Sequence, residues 1–473
     1  MVNDLTKGKT SRVILYFSLP LFISVIFQQM YSIADSVIAG RFAGEAALAS
    51  VGASYPITNI FNAIAVGCNI GCGVVISQLF GAGKYKKVKT AVYTSLISSL
   101  VISVVLTVLG IMLTPSLMKL INTPEDIFTD SALYLKIYIA GFTFLFLYNI
   151  ANGVFASLGN SKIPLYFLIF SSVTNVVLDY IFVAHFNMGV SGVAWATFIA
   201  QGVAGVMSVL TLLYHLKSLK CDEKAEIFSF EMLKSISKIS IPSVLQQSFV
   251  SVGNVFIQGE INSYGSAVIA GYSAAIKLNT FAVNSLVTFG NSVSSFTAQN
   301  VGAMQYKRIK EGFKSGAVLS IITAIIFSVV YVVFSETLIG VFMEGDKSVL
   351  ALTTGKQFLI IVEPFLCFIG FKVVCDGVLR GTGNMKYFMF ATFADLVLRV
   401  ILAFIFSHFF GAVGIWLSWP IGWGLAVVLS FAFYRNVVKG LGIRNMLMVD
   451  YLIIYVDFII NVIWQDNFYL SDI

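Results

Sequence analysis

The chain has 473 residues, 58% of them hydrophobic and only 11% charged, with a mean hydropathy of +0.89. A soluble globular chain carries about 25% charged residues, so the class that remains is a polytopic membrane protein with lipid as its main solvent. The formal charge of +7 would suggest a nucleic-acid partner in a soluble chain; here the basic residues fall in short loops, where they report topology, and no nucleic-acid partner is expected.

The N-terminus carries Lys7, Lys9 and Arg12 ahead of an apolar run. The run reaches about Ala39, longer than the h-region of a signal peptide, about 7–15 residues, so it reads as a first span. Apolar stretches of about 20 residues, the length a spanning helix needs, then follow along the chain. In the first half spans begin near Val13, Ala46, Ala91, Ala132, Pro164 and Gly192; in the second, near Ile239, Ser266, Ser315, Gln357, Tyr387 and Ala412. The expected fold is an all-α polytopic membrane protein of twelve transmembrane helices in a 6+6 bundle.

The halves are repeats. Ser77–Lys87 returns as Ala298–Arg308, with Gln78 matched to Gln299 and Gly81-Ala82 to Gly302-Ala303. Asn152-Gly153 with Gly159-Asn160 returns as Asp376-Gly377 with Gly383-Asn384, and Gly189-Val190-Ser191-Gly192 as Gly411-Ala412-Val413-Gly414. Three matches in order, at a nearly constant shift, indicate duplication, the pattern of transporters whose site lies between two halves. Six spans per repeat make the halves parallel. The expected division is residues 1–216 as the N-lobe, 217–238 as a polar cytoplasmic linker, 239–440 as the C-lobe and 441–473 as a tail of unknown structure.

Lys and Arg alternate between the two sets of loops. One set holds most of them, including Lys84, Lys162, Lys238, Lys307, Lys386 and Lys439; the other holds only Arg41, Lys119, Lys347 and Lys356. The positive-inside rule then puts both ends of the bundle in the cytoplasm of a cell whose plasma (inner) membrane the chain crosses many times. The tail is apolar but interrupted by Asp450, Asp457 and Asp466, which suits an interfacial segment better than a thirteenth span. The five cysteines show no disulfide or zinc spacing, and Cys68 and Cys72 share an apolar helix face that suits packing.

Ionisable groups inside spans are costly and usually mark ion or substrate paths. The first half has two acids with no basic partner in view: Asp35, late in span one, and Asp179, in span five one turn after Asn175. If the two helices meet, carboxylate, amide and hydroxyl oxygens converge, a donor set for a hard cation. Two adjacent carboxylates cannot both ionise cheaply, so a proton suits the site equally well. The plainer alternative is that each Asp bonds a neighbouring helix or snorkels to the interface. The second half mixes signs: Lys277 in span eight, Glu363, Lys372 and Asp376 in span ten, and Asp395 with Arg399 in span eleven at the i,i+4 spacing of an ion pair. A mutually neutralising structural network is expected there. The Gly67–Gly73 stretch reads as close helix packing. No hydrolase, nucleotide or metal motif is visible, so an enzyme is not expected, and no cofactor.

Over about residues 10–440 the chain resembles the multidrug and toxic compound extrusion (MATE) family. The resemblance rests on Leu19-Pro20 through Asp35 to Gly40-Arg41, on Gly81-Ala82-Gly83, on Gly159-Asn160-Ser161-Lys162 and on Asn175 through Asp179. In the second half it rests on Gln299 with Gly302-Ala303 and on Leu379-Arg380-Gly381-Thr382-Gly383-Asn384. It implies a two-lobe antiporter that expels small organic cations in exchange for H+ or Na+, acting as a monomer among membrane lipids. It also implies a first-lobe cation site on Asp35, Asn175, Asp179 and Thr197, with Tyr134 as a further member. The second-lobe acidic site of one branch has no aligned acid here, which favours the branch named after DNA-damage-inducible protein F. Two other readings stay open: a flippase for lipid-linked saccharides, which would use basic groups such as Lys277, Lys372 and Arg399, and a channel.

Overall fold

The structure, a computed structural model, describes residues 4–38, 42–43, 45–219, 221, 224–342 and 349–442. Among these there is no strand. In the first half α1 spans Thr10–Ile38, α2 Glu45–Gly81, α3 Tyr85–Leu120, α4 Glu125–Ala140, α5 Phe142–Ser157, α6 Lys162–Asp179 and α7 Gly189–Ser218. In the second, α8 spans Phe230–Asn262, α9 Ser266–Gly302, α10 Tyr306–Val333, α11 Ser335–Val341, α12 Val349–Val362, α13 Leu366–Gly381, α14 Met385–Phe410 and α15 Ala412–Gly440.

Among the described residues ten helical stretches are long and apolar enough to cross a membrane, and the bent pair α4 and α5 makes an eleventh. The twelfth is α8. Its 33 residues reach about 50 Å, but Gln246, Gln247, Asn254 and Glu260 lower its hydropathy. The fold is the expected twelve-span bundle. The expected tail lies outside the described residues, apart from its first two. The linker is shorter than the sequence suggests, because α8 already starts at Phe230, where Ser229 Oγ caps it by accepting from Met232 N at 3.5 Å. The segment before that cap is docked rather than free: Glu226 N and Ser229 N donate to Thr90 Oγ1 and Thr94 Oγ1 of α3.

The duplication is written into the backbone as well as the side chains. Spans four and ten break at matching places. The first bends by 45° at Gly141. The second passes through a 3-10 turn, Glu363–Phe365, where Pro364 removes a helical hydrogen bond. Three positive-φ positions also recur, as Gly83 with Met304, Gly159 with Gly383, and Gly189 with Gly411. At the first of these the turn needs a left-handed residue in both halves; glycine takes it freely, whereas Met304 adopts φ 58° at a cost of about 1–2 kcal/mol.

Each half has its own apolar core, and each core borrows the first turns of the other half's leading helix. Ile14 and Phe17 of α1 pack into the second-half core; Met232, Ile236 and Ile239 of α8 pack into the first-half core. The crossing of α2 with α8 is close because Gly67 and Gly71 face the backbone of Val244 and Ser240, leaving no room for a Cβ. Their repeat partners in α9 are Thr288 and Ser292, so α1 cannot nestle on α9 in the same way. The glycine reading from sequence is thus confirmed, and the contact it serves lies between the halves.

Hydrogen bonds between the halves cluster at the lysine-rich end. Gln78 Nε2 donates to Gly381 O at 2.9 Å, and its repeat partner Gln299 donates through Nε2 to Ser157 O at 2.7 Å. Ser157 and Gly381 are themselves repeat partners, so the two bonds form one reciprocal latch. Gly81 lies against the carbonyl group of Gln299, and Gly302 against that of Gln78. The N-terminal segment covers the latch: Leu5 N donates to Gln299 Oε1 at 2.9 Å, and Arg308 Nη1 donates to Gly8 O at 2.9 Å. In Gly81→Ala the added methyl overlaps backbone, and overpacking of this kind costs about 1–3 kcal/mol. Amide exchange at residues 298–303 and 78–83 should therefore rise by about ten- to a hundredfold with helix content unchanged; exchange equal to wild type would mean that the halves are not held at this crossing.

Candidate functional site

Away from the lysine-rich end, α1 leaves the second half and packs on α6. This brings Asp35 within electrostatic reach of Asp179. Asp179 is fully buried, and Asn175, Thr197 and Tyr134 are buried around it. Immediately after Asp179 the helix widens into a π-turn, Tyr180–His185, a feature that often accompanies functional sites.

Hydrogen bonding orients the Asn175 amide. Its nitrogen donates to Asp179 Oδ2 and to Tyr31 Oη, 3.0 Å each, while its oxygen accepts from Thr197 N at 3.1 Å. So the amide that the family resemblance assigns as a cation ligand presents N–H, not oxygen, to the carboxylate. Thr197 joins the cluster as expected, with its backbone N–H on Asn175. Tyr134 lies within electrostatic reach of Asp35 and Asp179 and stacks on Tyr138 at 6.3 Å. The Tyr138 hydroxyl in turn accepts from Asn62 Nδ2 at 3.2 Å.

Asp35 Oδ1 and Asp179 Oδ1 are buried and lack a hydrogen-bond partner. Unsatisfied buried carboxylate oxygen is expensive, and a proton or a small cation is what would satisfy it. The site therefore offers two carboxyls with hydroxyls beside them and no basic side chain among its described members. Tyr31 is a member that sequence reasoning passed over; it precedes Asp35 by one turn and so shares its face, which was the available signal.

The second-half charges resolve into separate clusters, not the single network expected from the sequence. Lys372 Nζ contacts Asp376 Oδ2 at 2.7 Å and Thr392 Oγ1 at 3.2 Å; Asp376 Oδ1 accepts from Ser430 Oγ at 2.8 Å. Glu363 is fully buried at the span-ten break, where Asn279 Nδ2 donates to its Oε1 at 3.0 Å. Lys277 is exposed and its Nζ lies 5.8 Å from the centre of the Phe342 ring. The expected Asp395–Arg399 ion pair is not formed. The Arg399 guanidinium instead stacks 4.6 Å from the Trp419 ring, and Asp395 Oδ1 presses on Gly422 of α15 without a hydrogen-bond donor. Spacing put the two residues on one face, but the neighbouring helix offered the cation a better surface.

The MatE family model matches the chain twice, over residues 20–181 and again over residues 242–405, once per repeat. Among curated proteins, the chain is 28% identical over 433 residues to "Probable multidrug resistance protein YpnP" of Bacillus subtilis, covering 91% of this chain and 96% of that one. It is 24% identical to "Multidrug export protein MepA" of Staphylococcus saprophyticus, covering 94% and 96%. A solved structure described as the outward-facing conformation of a multidrug resistance MATE family transporter of the MOP superfamily shares the fold. Its TM-score is 0.86 at 22% identity, over 93% of this chain and 98% of that one.

Proposed function

The chain belongs to the MatE family of transporters, and from that premise we propose that it is a secondary active multidrug exporter, expelling amphipathic organic cations in exchange for H+ or Na+. The observation that carries the coupling is the facing pair Asp35 and Asp179, each with one buried oxygen unsatisfied. A cation taken up there changes the bonding of α1, α6 and α7 together, because the Asn175 amide that bonds Asp179 also bonds Tyr31 and the Thr197 backbone.

In this reading the lysine-rich end is cytoplasmic, in a plasma membrane, and the two halves rock about a central cavity. The latch between Gln78 and Gly381, with its mate between Gln299 and Ser157, holds the cytoplasmic ends of the two halves together. A coupling ion can drive rocking only by favouring one state over the other. Substrate and ion then lower each other's affinity by the same factor. Substrate affinity in detergent should weaken as protons or Na+ are added, and efflux from vesicles should respond to a pH gradient alone or a Na+ gradient alone. An affinity indifferent to both would remove antiport through this site. The flippase alternative needs free basic groups; Lys372 is engaged by Asp376 and Arg399 by Trp419, which leaves it Lys277 alone of the three.

A further inference from the structure

A cavity of about 880 Å³ opens at the lysine-rich end, directly on the seam between the halves. Lys84 reaches it from the α2–α3 turn of the first half, and Lys238 of α8 and Lys386 of α14 reach it from the second. Among the described residues no carboxylate lines it, and none of the three lysines has an ion-pair partner. Two helices, α3 and α14, begin at its wall, and their N-terminal dipoles add to the positive field. The lining also has apolar members, among them Leu79 and Ile239. Gln78, the donor of one latch bond, forms part of the same wall.

We propose that this cavity binds a phosphate group carried by an anionic membrane lipid, and that the bound lipid holds the lysine-rich end closed. The chemistry follows from the walls. Three lysines line one space with no acid among its described lining residues, an arrangement that selects a multiply accepting anion such as a phosphodiester. Basic pockets between transmembrane helices on the cytoplasmic side are sites of this kind. The apolar side chains of Leu79 and Ile239 in the same lining suit an acyl chain, and a free anion would leave them unused. The state dependence follows from geometry: one lysine belongs to the first half and two to the second, so separating the halves dismantles the site. A ligand that binds only the closed arrangement stabilises it by mass action.

The test uses the full-length protein in detergent, titrated with phosphatidylglycerol, phosphatidylcholine or inorganic phosphate while lipid binding and the unfolding midpoint are followed. Phosphatidylglycerol should bind and raise the midpoint, and phosphatidylcholine should not. The triple variant Lys84→Gln, Lys238→Gln, Lys386→Gln should bind phosphatidylglycerol about a hundredfold more weakly. A control triple with the same charge change, Lys162→Gln, Lys217→Gln, Lys439→Gln, should behave as wild type. Gly81→Ala, which keeps all three lysines but wedges the seam, should also lose affinity. Equal binding by the two triples would overturn the site. Full affinity in Gly81→Ala would overturn its dependence on closure. Inorganic phosphate matching the lipid would overturn the lipid as the source.

Discussion

Gradient-driven efflux through Asp35→Asn or Asp179→Asn protein falls to the level of protein-free vesicles, while the protein stays inserted and its unfolding midpoint is unchanged or raised. The stability half of this result follows from the site having two carboxyls and no basic neighbour among its described members: deleting one charge relieves repulsion and strands nothing. Asparagine is also nearly isosteric, so the packing around fully buried Asp179 is kept. The transport half follows from energetics. Moving a two-state equilibrium from 1:99 to 99:1 needs about 5.5 kcal/mol of differential binding, and a site with a single carboxyl has lost the group on which the second charge or shared proton resides. Coupled efflux at the wild-type rate in either purified variant would sink the assignment. Tyr31→Phe is a milder companion, since it removes only the hydroxyl that accepts from Asn175.

Asp376→Ala has the opposite signature, a large loss of stability. Lys372 and Asp376 form a buried ion pair at 2.7 Å, 9% and 3% exposed at their side chains, and removing one partner of such a pair costs about 3–5 kcal/mol. The loss is at the upper end here because Arg380 lies close enough to feel the same carboxylate, so the variant buries two cations without a counter-charge, and Ser430 loses its acceptor. Expression and the unfolding midpoint of the purified protein should both drop. Adding Lys372→Met should recover most of the loss, because the orphaned ammonium goes with it. An Asp376→Ala protein as stable as wild type, with altered ion dependence, would move this pair from scaffold to transport pathway.

The architecture was legible because membrane solvation imposes a length and a charge rule that a single sequence displays openly. Apolar runs, alternating lysines and three repeated motifs gave the twelve spans. The meeting of Asp35 with Asp179 was also anticipated, because an acid is too costly in lipid to be placed without a use. What escaped was every feature decided by a neighbouring helix. Asp395 and Arg399 have the spacing of a pair, yet Trp419, twenty residues further on, takes the guanidinium. Asn175 was named through the family resemblance, and its bonds to Tyr31 on α1 and to the Thr197 backbone on α7 could not be read from one sequence. Helix α8 begins at Phe230, ahead of the apolar span read from Ile239, because Ser229 caps it.

The reciprocal glutamine latch has the form of an isologous dimer contact. In such a contact residue i of one subunit meets j of the other, and j meets i. That is the relation of Gln78 to Gly381 and of Gln299 to Ser157. A surface of this kind is self-complementary before any gene fusion: a half-length ancestor with one glutamine and one glycine-lined crossing would already have closed against its own copy. Fusion then freed the two copies to diverge without losing the closure. The divergence is visible at Leu5, whose backbone N–H occupies the spare oxygen of Gln299, so that the N-terminus of the chain rests on one copy of an inherited twofold joint.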